Sequence, residues 1–415
     1  MTDTTAVDVD ALLAEILLTP EGRNDPYPRY AAIREHAPWF RSEVGLVVVA
    51  RYDECQWVLR DPRFGKGEIG PVWEMYGLTQ EEWIARFGEL ERRTASMLGM
   101  DPPDHTRLRR LVAKAFTPRT VERLRPDIER LTDELLDEIE DADGVVDVIS
   151  ALALPLPMAV IGEMVGIPAD ERAVLQPQVR VASQMLEFDP ALEIRDAAVA
   201  ANAVIVEHVE ALIAERRARP TDDLMSQLIQ VEEAGDQLSH NELITTVMLL
   251  FGAGFETTTN LIGNGLLALL DHPDQLQRLR DDRTLVKTAV EELLRWDSPV
   301  QLDGRVVLED AELHGETFQA GTQFVTLLGG ANRDPRVFDD PERFDVGREG
   351  PAPMSFGAGI HFCLGAALAR AEGHVVFDRL LDRFPVIEPA WGDTRPTYRE
   401  TIVLHGLQSL PVRAG

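Results

Sequence analysis

One short segment narrows what this chain can become more than any other: Phe356-Gly357-Ala358-Gly359-Ile360-His361-Phe362-Cys363-Leu364-Gly365. Its cysteine ends a glycine-rich loop and opens the helical stretch Ala366-Ala367-Leu368-Ala369-Arg370. At a helix N-terminus the aligned peptide dipoles favour thiolate over thiol. Gly357 and Gly359 supply positive-φ conformations that other residues avoid, so backbone amides can turn towards the sulfur. Phe356 is placed to shield that sulfur from water. The only other cysteine, Cys55, has no such cage and reads as a small buried apolar residue. An inert buried cysteine needs no glycine loop, whereas a metal-binding thiolate does.

A second segment breaks local rules. Leu249-Leu250-Phe251-Gly252-Ala253-Gly254-Phe255-Glu256-Thr257-Thr258-Thr259-Asn260 sits inside a long apolar helical pattern. Each glycine costs such a helix about 1 kcal/mol relative to alanine. The threonines compete for backbone hydrogen bonds, and the carboxylate is expensive to bury without a partner. Conflicts of this kind mark functional sites. Helical spacing places Ala253, Glu256, Thr257 and Asn260 on one face.

The rest of the chain frames these two segments. Residues 28–60 read as helix, strand (45–50) and helix. Apolar residues then recur at helical spacing in 121–140, 157–166, 195–217 and 241–270, so that about 105–295 is almost wholly helical. Asp223 or its neighbours Thr221 and Asp222 cap a helix beginning at Leu224. Short strands return at about 304–328, with turns at His314-Gly315 and Ala320-Gly321. The fold class is mainly α with minor β sheets, and one domain over residues 1–415 is expected. Lys+Arg number 41 and Asp+Glu 71, a net charge of −30, which disfavours nucleic acids and anionic membranes. Two cysteines cannot form a disulfide framework, and the start Met1-Thr2-Asp3-Thr4 has no basic and apolar leader. Neither Ala151–Ile167, broken by Pro155, Pro157 and Glu163, nor Thr245–Phe255 reaches the ~20 clean apolar residues of a membrane span. A cytoplasmic monomer, neither membrane-bound nor nucleic-acid-binding, is expected.

The cysteine loop resembles the haem-binding signature of the cytochrome P-450 family, and the resemblance extends from Tyr27 to about Leu410. It implies the family's helical prism with a b-type haem between two helices, Cys363 as axial iron ligand, and O2 as co-substrate. Phe356, Gly357 and Gly365 then border the haem, with Gly365 leaving room for the flat macrocycle, and Ala253 leaves space for dioxygen. Glu256 and Thr257 match the family's acid–threonine pair, which relays solvent protons towards the oxygen site. His105, Arg109, Arg305 and His361 match family contacts to the haem propionates. Glu292 and Arg295, three apart on a helix, match a structural pair that locks to an arginine before the cysteine, a place Arg343 fits.

The implied reaction is monooxygenation of an apolar small molecule by hydroxylation or epoxidation. The resemblance puts substrate-facing segments at about 65–100, 178–192, 246–257, 298–304 and 399–404. They hold Trp73, Met75, Tyr76, Trp83, Phe87, Met97, Leu98, Met100, Met185, Leu186, Phe188, Val300, Leu302, Ile402 and Val403, with Gln301 as a polar contact. Alternatives that keep the haem are a peroxide-driven peroxygenase and a non-catalytic haem sensor. The retained acid–threonine pair opposes the first and the lack of a fused signalling domain opposes the second. No Gly-x-Gly-x-x-Gly fingerprint follows a strand, so electrons come from NAD(P)H only indirectly, through a ferredoxin or flavodoxin. The helix after His105 turns Arg107, Arg110 and Lys114 away from its apolar side, a basic patch on which an acidic carrier can dock.

Overall fold

The structure is a computed structural model that describes residues 8–67, 72–142, 144–187, 190–233 and 238–415. Phe188, one of the expected substrate-facing residues, lies outside the described residues. The helices that build the site are α1 (Asp104–Val112), α2 (Pro118–Asp141), α3 (Ala169–Ser183), α4 (Leu192–Ala218), α5 (His240–Asp271), α6 (Val286–Trp296) and α7 (Ala366–Arg383).

Helix α5 is the axis. Its 32 residues begin in a capping box in which Ser239 Oγ accepts from Glu242 N and Glu242 accepts from Ser239 N. From Leu243 to Leu269 it is apolar nearly all round, the pattern of a helix enclosed by others. Its glycines admit those neighbours. A Cβ on Gly252 would meet Val179 of α3 at 3.0 Å, and one on Gly254 would meet Ile161 of the helix Pro155–Val165 at 2.5 Å. A Cβ on Gly265 would meet Phe377 of α7 and Leu293 of α6, at 2.8 and 2.9 Å. The two glycines beside Ala253 therefore serve helix packing.

The β elements flank this bundle. Strands β1 (Phe40–Arg41), β2 (Val47–Val49), β3 (Phe64–Gly65), β4 (Leu302–Val307) and β5 (Gln323–Leu327) form one sheet in the order β1-β2-β5-β4-β3. Only β2 and β5 run parallel, with Val48 opposite Val325. Between β4 and β5 lies the hairpin Ala311–Leu313/Glu316–Phe318, turned by His314 and Gly315 at positive φ. Asp223 caps Leu224–Glu233 by accepting Ser226 N at 2.7 Å. Helix α4 has the length and hydropathy of a membrane span, which inspection of uninterrupted apolar runs does not reveal. Its buried residues, Ala198 to Ile213, pack in the protein core.

The expected structural pair is present with a different third member. Arg295 and Glu292 are 1% and 2% exposed and meet through two hydrogen bonds of 2.6 and 2.9 Å. The second cation on Glu292 is Arg348, whose Nε lies 3.0 Å from Oε2. Arg343 does not fill that place: its side chain is 63% exposed and pairs with Asp345, and only its carbonyl accepts from Arg295 and Arg348. Spacing could not choose between arginines five residues apart on one irregular loop. We predict that Glu292→Ala lowers folding stability by about 3 kcal/mol or more, because it leaves Arg295 buried and unpaired. Arg348→Ala should lower the melting temperature measurably and Arg343→Ala should leave it unchanged. Equal effects of the two arginine substitutions in calorimetry would restore Arg343 to the network.

Candidate active site

The cysteine loop is built by its glycines as expected. Gly357 and Gly359 take φ of 65° and 71°. A Cβ on Gly359 would stand 2.0 Å from the carbonyl oxygen of Leu59, so this glycine also lets the loop press against the helix Tyr52–Arg60. The Cys363 amide donates to Phe356 O at 2.9 Å and closes the loop. Gly365 caps α7, and a Cβ there would meet nothing nearer than Cys363 Sγ at 4.0 Å. The Phe356 ring is covered by the Arg370 guanidinium, 4.4 Å from its centroid, and Arg370 is held by Glu291 of α6. Burial pushes the Cys363 thiol above its ordinary range, against the pull of the Gly365 and Ala366 amides and of Arg109 and Arg370. A bound metal ion deprotonates such a thiol outright.

Cys363 is nonetheless exposed, so its sulfur faces an opening within surrounding protein. The central helix opens at one point too. From Leu243 to Leu269 the only exposed residue is Ala253, with Gly252, Gly254 and Thr257 partly exposed beside it. Thr257 Oγ1 donates to Ala253 O at 3.0 Å, which leaves its lone pairs free to accept. Glu256 and Asn260 do not share this opening. Glu256 is 3% exposed, pairs with Arg399, and lies 3.8 Å from Arg180 of α3. Asn260 accepts from Arg399 at 2.5 Å. The single face expected from helical spacing thus divides between an open side and a buried, arginine-bound side.

A cationic corner adjoins the cysteine loop. His105 is 2% exposed, and its ring centroid lies 4.3 Å from that of His361. Burial, Arg305 and Lys66 push the His361 imidazole down to about 3, and burial and Arg109 lower that of His105. His105 Nδ1 and His361 Nε2 are buried without partners. Arg109 donates to Phe362 O, and Arg305 pairs with Asp303 at 2.7 Å. Lys66, absent from the expected set, holds the same Asp303 at 2.7 Å. Burial raises the Asp303 carboxyl, but Lys66 and Arg305 outweigh it and hold it at about 2. Five basic groups thus gather here with two carboxylates, Asp303 and Asp101, and two imidazole nitrogens lack partners. That donor set suits a group bearing carboxylates, and the sulfur and the side-chain-free Gly365 suit its metal and its flat body. The residues present fit a haem.

Several expected pocket residues belong instead to the core. Trp83, Phe87, Leu302 and Ile402 are 1–4% exposed. Gln301 is fully buried and its amide is taken by Tyr27 Oη and Ser298 O. Leu98 and Leu186 remain exposed, at 43% and 45%. The basic patch on α1 is smaller than expected. Arg107 is bound by Asp104 and by Glu242 of α5, whereas Arg110 and Lys114 are exposed. Lys66, Arg180, Arg348 and Arg399 carried no sequence signal, since each is a single cation in a loop or on a helix, with partners from 56 to 237 residues away.

These features have counterparts in known proteins. A family model described as Cytochrome P450 matches residues 192–411. The chain is 41% identical over 402 residues to Cytochrome P450 107B1 of Saccharopolyspora erythraea, covering 94% of this chain and 95% of that one. It is 38% identical over 411 residues to the Polyketide biosynthesis cytochrome P450 PksS of Bacillus subtilis, covering 96% and 99%. The ligand-free crystal structure of Mycobacterium smegmatis CYP164A2 matches with a TM-score of 0.87 and 37% identity, over 97% of this chain and 99% of that one. A caged cysteine, a cationic corner and likeness along nearly the whole chain agree: the chain belongs to the cytochrome P450 family.

Proposed function

We propose that this P450 monooxygenase inserts one oxygen atom from O2 into an apolar small molecule, by hydroxylation or epoxidation. Its electrons come from NAD(P)H through a reductase and a ferredoxin or flavodoxin. The observation that carries the reading is the Cys363 loop set against five basic groups in a chain of net charge −30. Bound at Cys363, haem supplies the dioxygen activation that no side chain provides. His105, Arg109, Arg305 and His361 would hold its propionates, with Asp303, itself held by Lys66, orienting Arg305. Ala253, exposed on α5, would leave room for dioxygen. Thr257, with its donor engaged by Ala253 O, accepts from a water beside the opening. Glu256 brings protons to that water from the side of Arg180 and Arg399. The substrate meets an apolar wall that includes Leu98, Met185, Leu186, Val300 and Val403. The name of PksS refers to polyketide biosynthesis, and polyketides are one apolar class to test first.

Three outcomes follow from these assignments. Reduced with carbon monoxide, the purified protein should show the long-wavelength Soret band of a thiolate-ligated haem, and Cys363→Ala should abolish it. His361→Ala should keep the band and lose haem to apomyoglobin about tenfold faster, the scale of one charged hydrogen bond. An unchanged band in Cys363→Ala would end the ligand assignment.

Thr257→Ala should bind substrate and accept electrons normally but release severalfold more hydrogen peroxide per NAD(P)H consumed. Glu256→Gln should slow product formation. Wild-type coupling in both variants, measured as product per reductant, would reject the relay.

Arg110 and Lys114 are the docking cations that remain once Arg107 is excluded. Reversing both to Glu should slow reduction by a ferredoxin at low salt and leave peroxide-driven turnover intact. The difference should fade as salt shortens the screening length to ~8 Å and below. Identical ferredoxin-driven rates at low salt would place the carrier elsewhere.

A further inference from the structure

The cationic corner is not built from cations alone. Two carboxylates stand in it, and Lys66 engages both. This lysine follows directly on β3, whose residues Phe64 and Gly65 pair with Val307 and Val306 of β4. Lys66 Nζ donates to Asp303 Oδ1 at 2.7 Å and to Gly304 O at 3.1 Å. The other oxygen, Asp303 Oδ2, accepts from Arg305 Nη1 at 2.7 Å. Each oxygen of that carboxylate thus has its own cation. The main chain of the same segment is held by the second carboxylate, for Asp101 accepts Lys66 N and Gly67 N, each at 2.9 Å. A Cβ on Gly65 would stand 2.3 Å from Asp101 Oδ1, so the strand end is glycine where this carboxylate approaches. Asp101 leads into α1, which carries His105 and Arg109.

Counting charge shows what the lysine adds. Burial lowers the imidazoles of His361 and His105, so neither carries charge at neutral pH. Among the described residues of the corner, the permanent cations are then Lys66, Arg109 and Arg305, and they face Asp101 and Asp303. The excess is a single positive charge. Arg305, with its side chain 1% exposed, is matched by Asp303 and supplies none of that excess once Lys66 is removed. An anion entering the corner meets a net attraction only while Lys66 is present. The Lys66 side chain is 17% exposed, so water and salt screen its charge less than they screen one on the open surface.

We propose that Lys66 is a positioning residue that acts by charge: it occupies one oxygen of Asp303 and so leaves Arg305 free to hold an anionic group of the haem. The inference rests on the haem-thiolate reading above and deepens it. Asp303 then braces Arg305 at 2.7 Å without cancelling it, because Lys66 offsets the carboxylate from its other side. The same excess charge favours the electron added when the iron is reduced, since a cation near the ring stabilises the more negative state. Lys66 therefore governs both how firmly haem is retained and how readily it is reduced.

The test measures haem transfer to apomyoglobin and the haem reduction potential, in the full-length loaded protein. Lys66→Met should lose haem about tenfold faster, the scale of one charged contact, and its potential should shift to more negative values. Lys66→Arg, which keeps the charge, should stay near wild type in both. Asp303→Asn should shift the potential to more positive values, because it removes the opposing charge and leaves both cations. Lys66→Met combined with Asp303→Asn restores an excess of one charge, and should return haem loss to within about twofold of wild type. A lysine that only ties β3 to β4 gives a different result: the double variant loses haem as fast as Lys66→Met or faster, and that outcome overturns the proposal. Should Lys66→Met fail to fold, a potential in Asp303→Asn at or below the wild-type value overturns it equally. A wild-type protein lacking the long-wavelength carbon monoxide band would defeat the haem-thiolate reading and this inference with it, whereas a normal band without rescue in the double variant defeats the role of Lys66 alone.

Discussion

The cysteine stands where it does because of a buried ion pair on α6, Glu292 with Arg295. Arg295 on α6 is saturated by Glu292 and by the carbonyls of Asn332, Pro341 and Arg343. Its helix also receives Ser355 Oγ at Leu294 O, and Asn332 receives Met354 N at 2.6 Å. The irregular chain from 332 to 356 is therefore sewn to one face of α6 before it turns at Gly357. Breaking a pair this deeply buried leaves an uncompensated charge, which costs more than the pair itself contributes. A loop rich in glycine and proline thus acquires the rigidity that a metal ligand requires.

Charge is distributed by function within an acidic protein. The chain carries −30 overall, yet Lys66, His105, Arg109, Arg305 and His361 gather in one corner, where Asp303 is held between Lys66 and Arg305. Grouping cations against desolvation is unfavourable in the protein alone, as the lowered imidazoles show. The arrangement becomes favourable when an anion occupies it. Unpartnered nitrogens on both histidines mark the same deficit in hydrogen bonds that the lowered imidazoles mark in charge.

On the other flank of α5 the polar groups are tied to chain segments. Glu256 and Asn260 bind Arg399, and Glu187 binds the turn that carries Arg399. A helix that looks locally defective in sequence is thereby used on both sides. Ala253 and Thr257 border an opening, while Glu256 and Asn260 anchor the C-terminal segment.

The helices, their order and the cysteine loop were legible because each depends on local physics. Apolar spacing marked α5 within a residue or two, and the glycine cage announced Cys363 and its backbone geometry. Neighbours in sequence could also be paired, as Glu292 with Arg295. What could not be read was which distant charge completes a pair. Arg343 and Arg348 are equivalent in sequence, but the path of the loop turns one outward and brings the other to Glu292. Lys66, Arg180 and Arg399 are ordinary cations until the fold sets them beside Asp303 and Glu256. Gln301 resembled a pocket residue until Tyr27 claimed its amide. Local sequence determined the secondary structure, the ligand loop and the class of chemistry, since those rest on backbone conformation and short spacings. Only the tertiary structure decided the partners of the buried charges, because burial and distance between remote segments set electrostatic energies and neither is encoded within one window of residues.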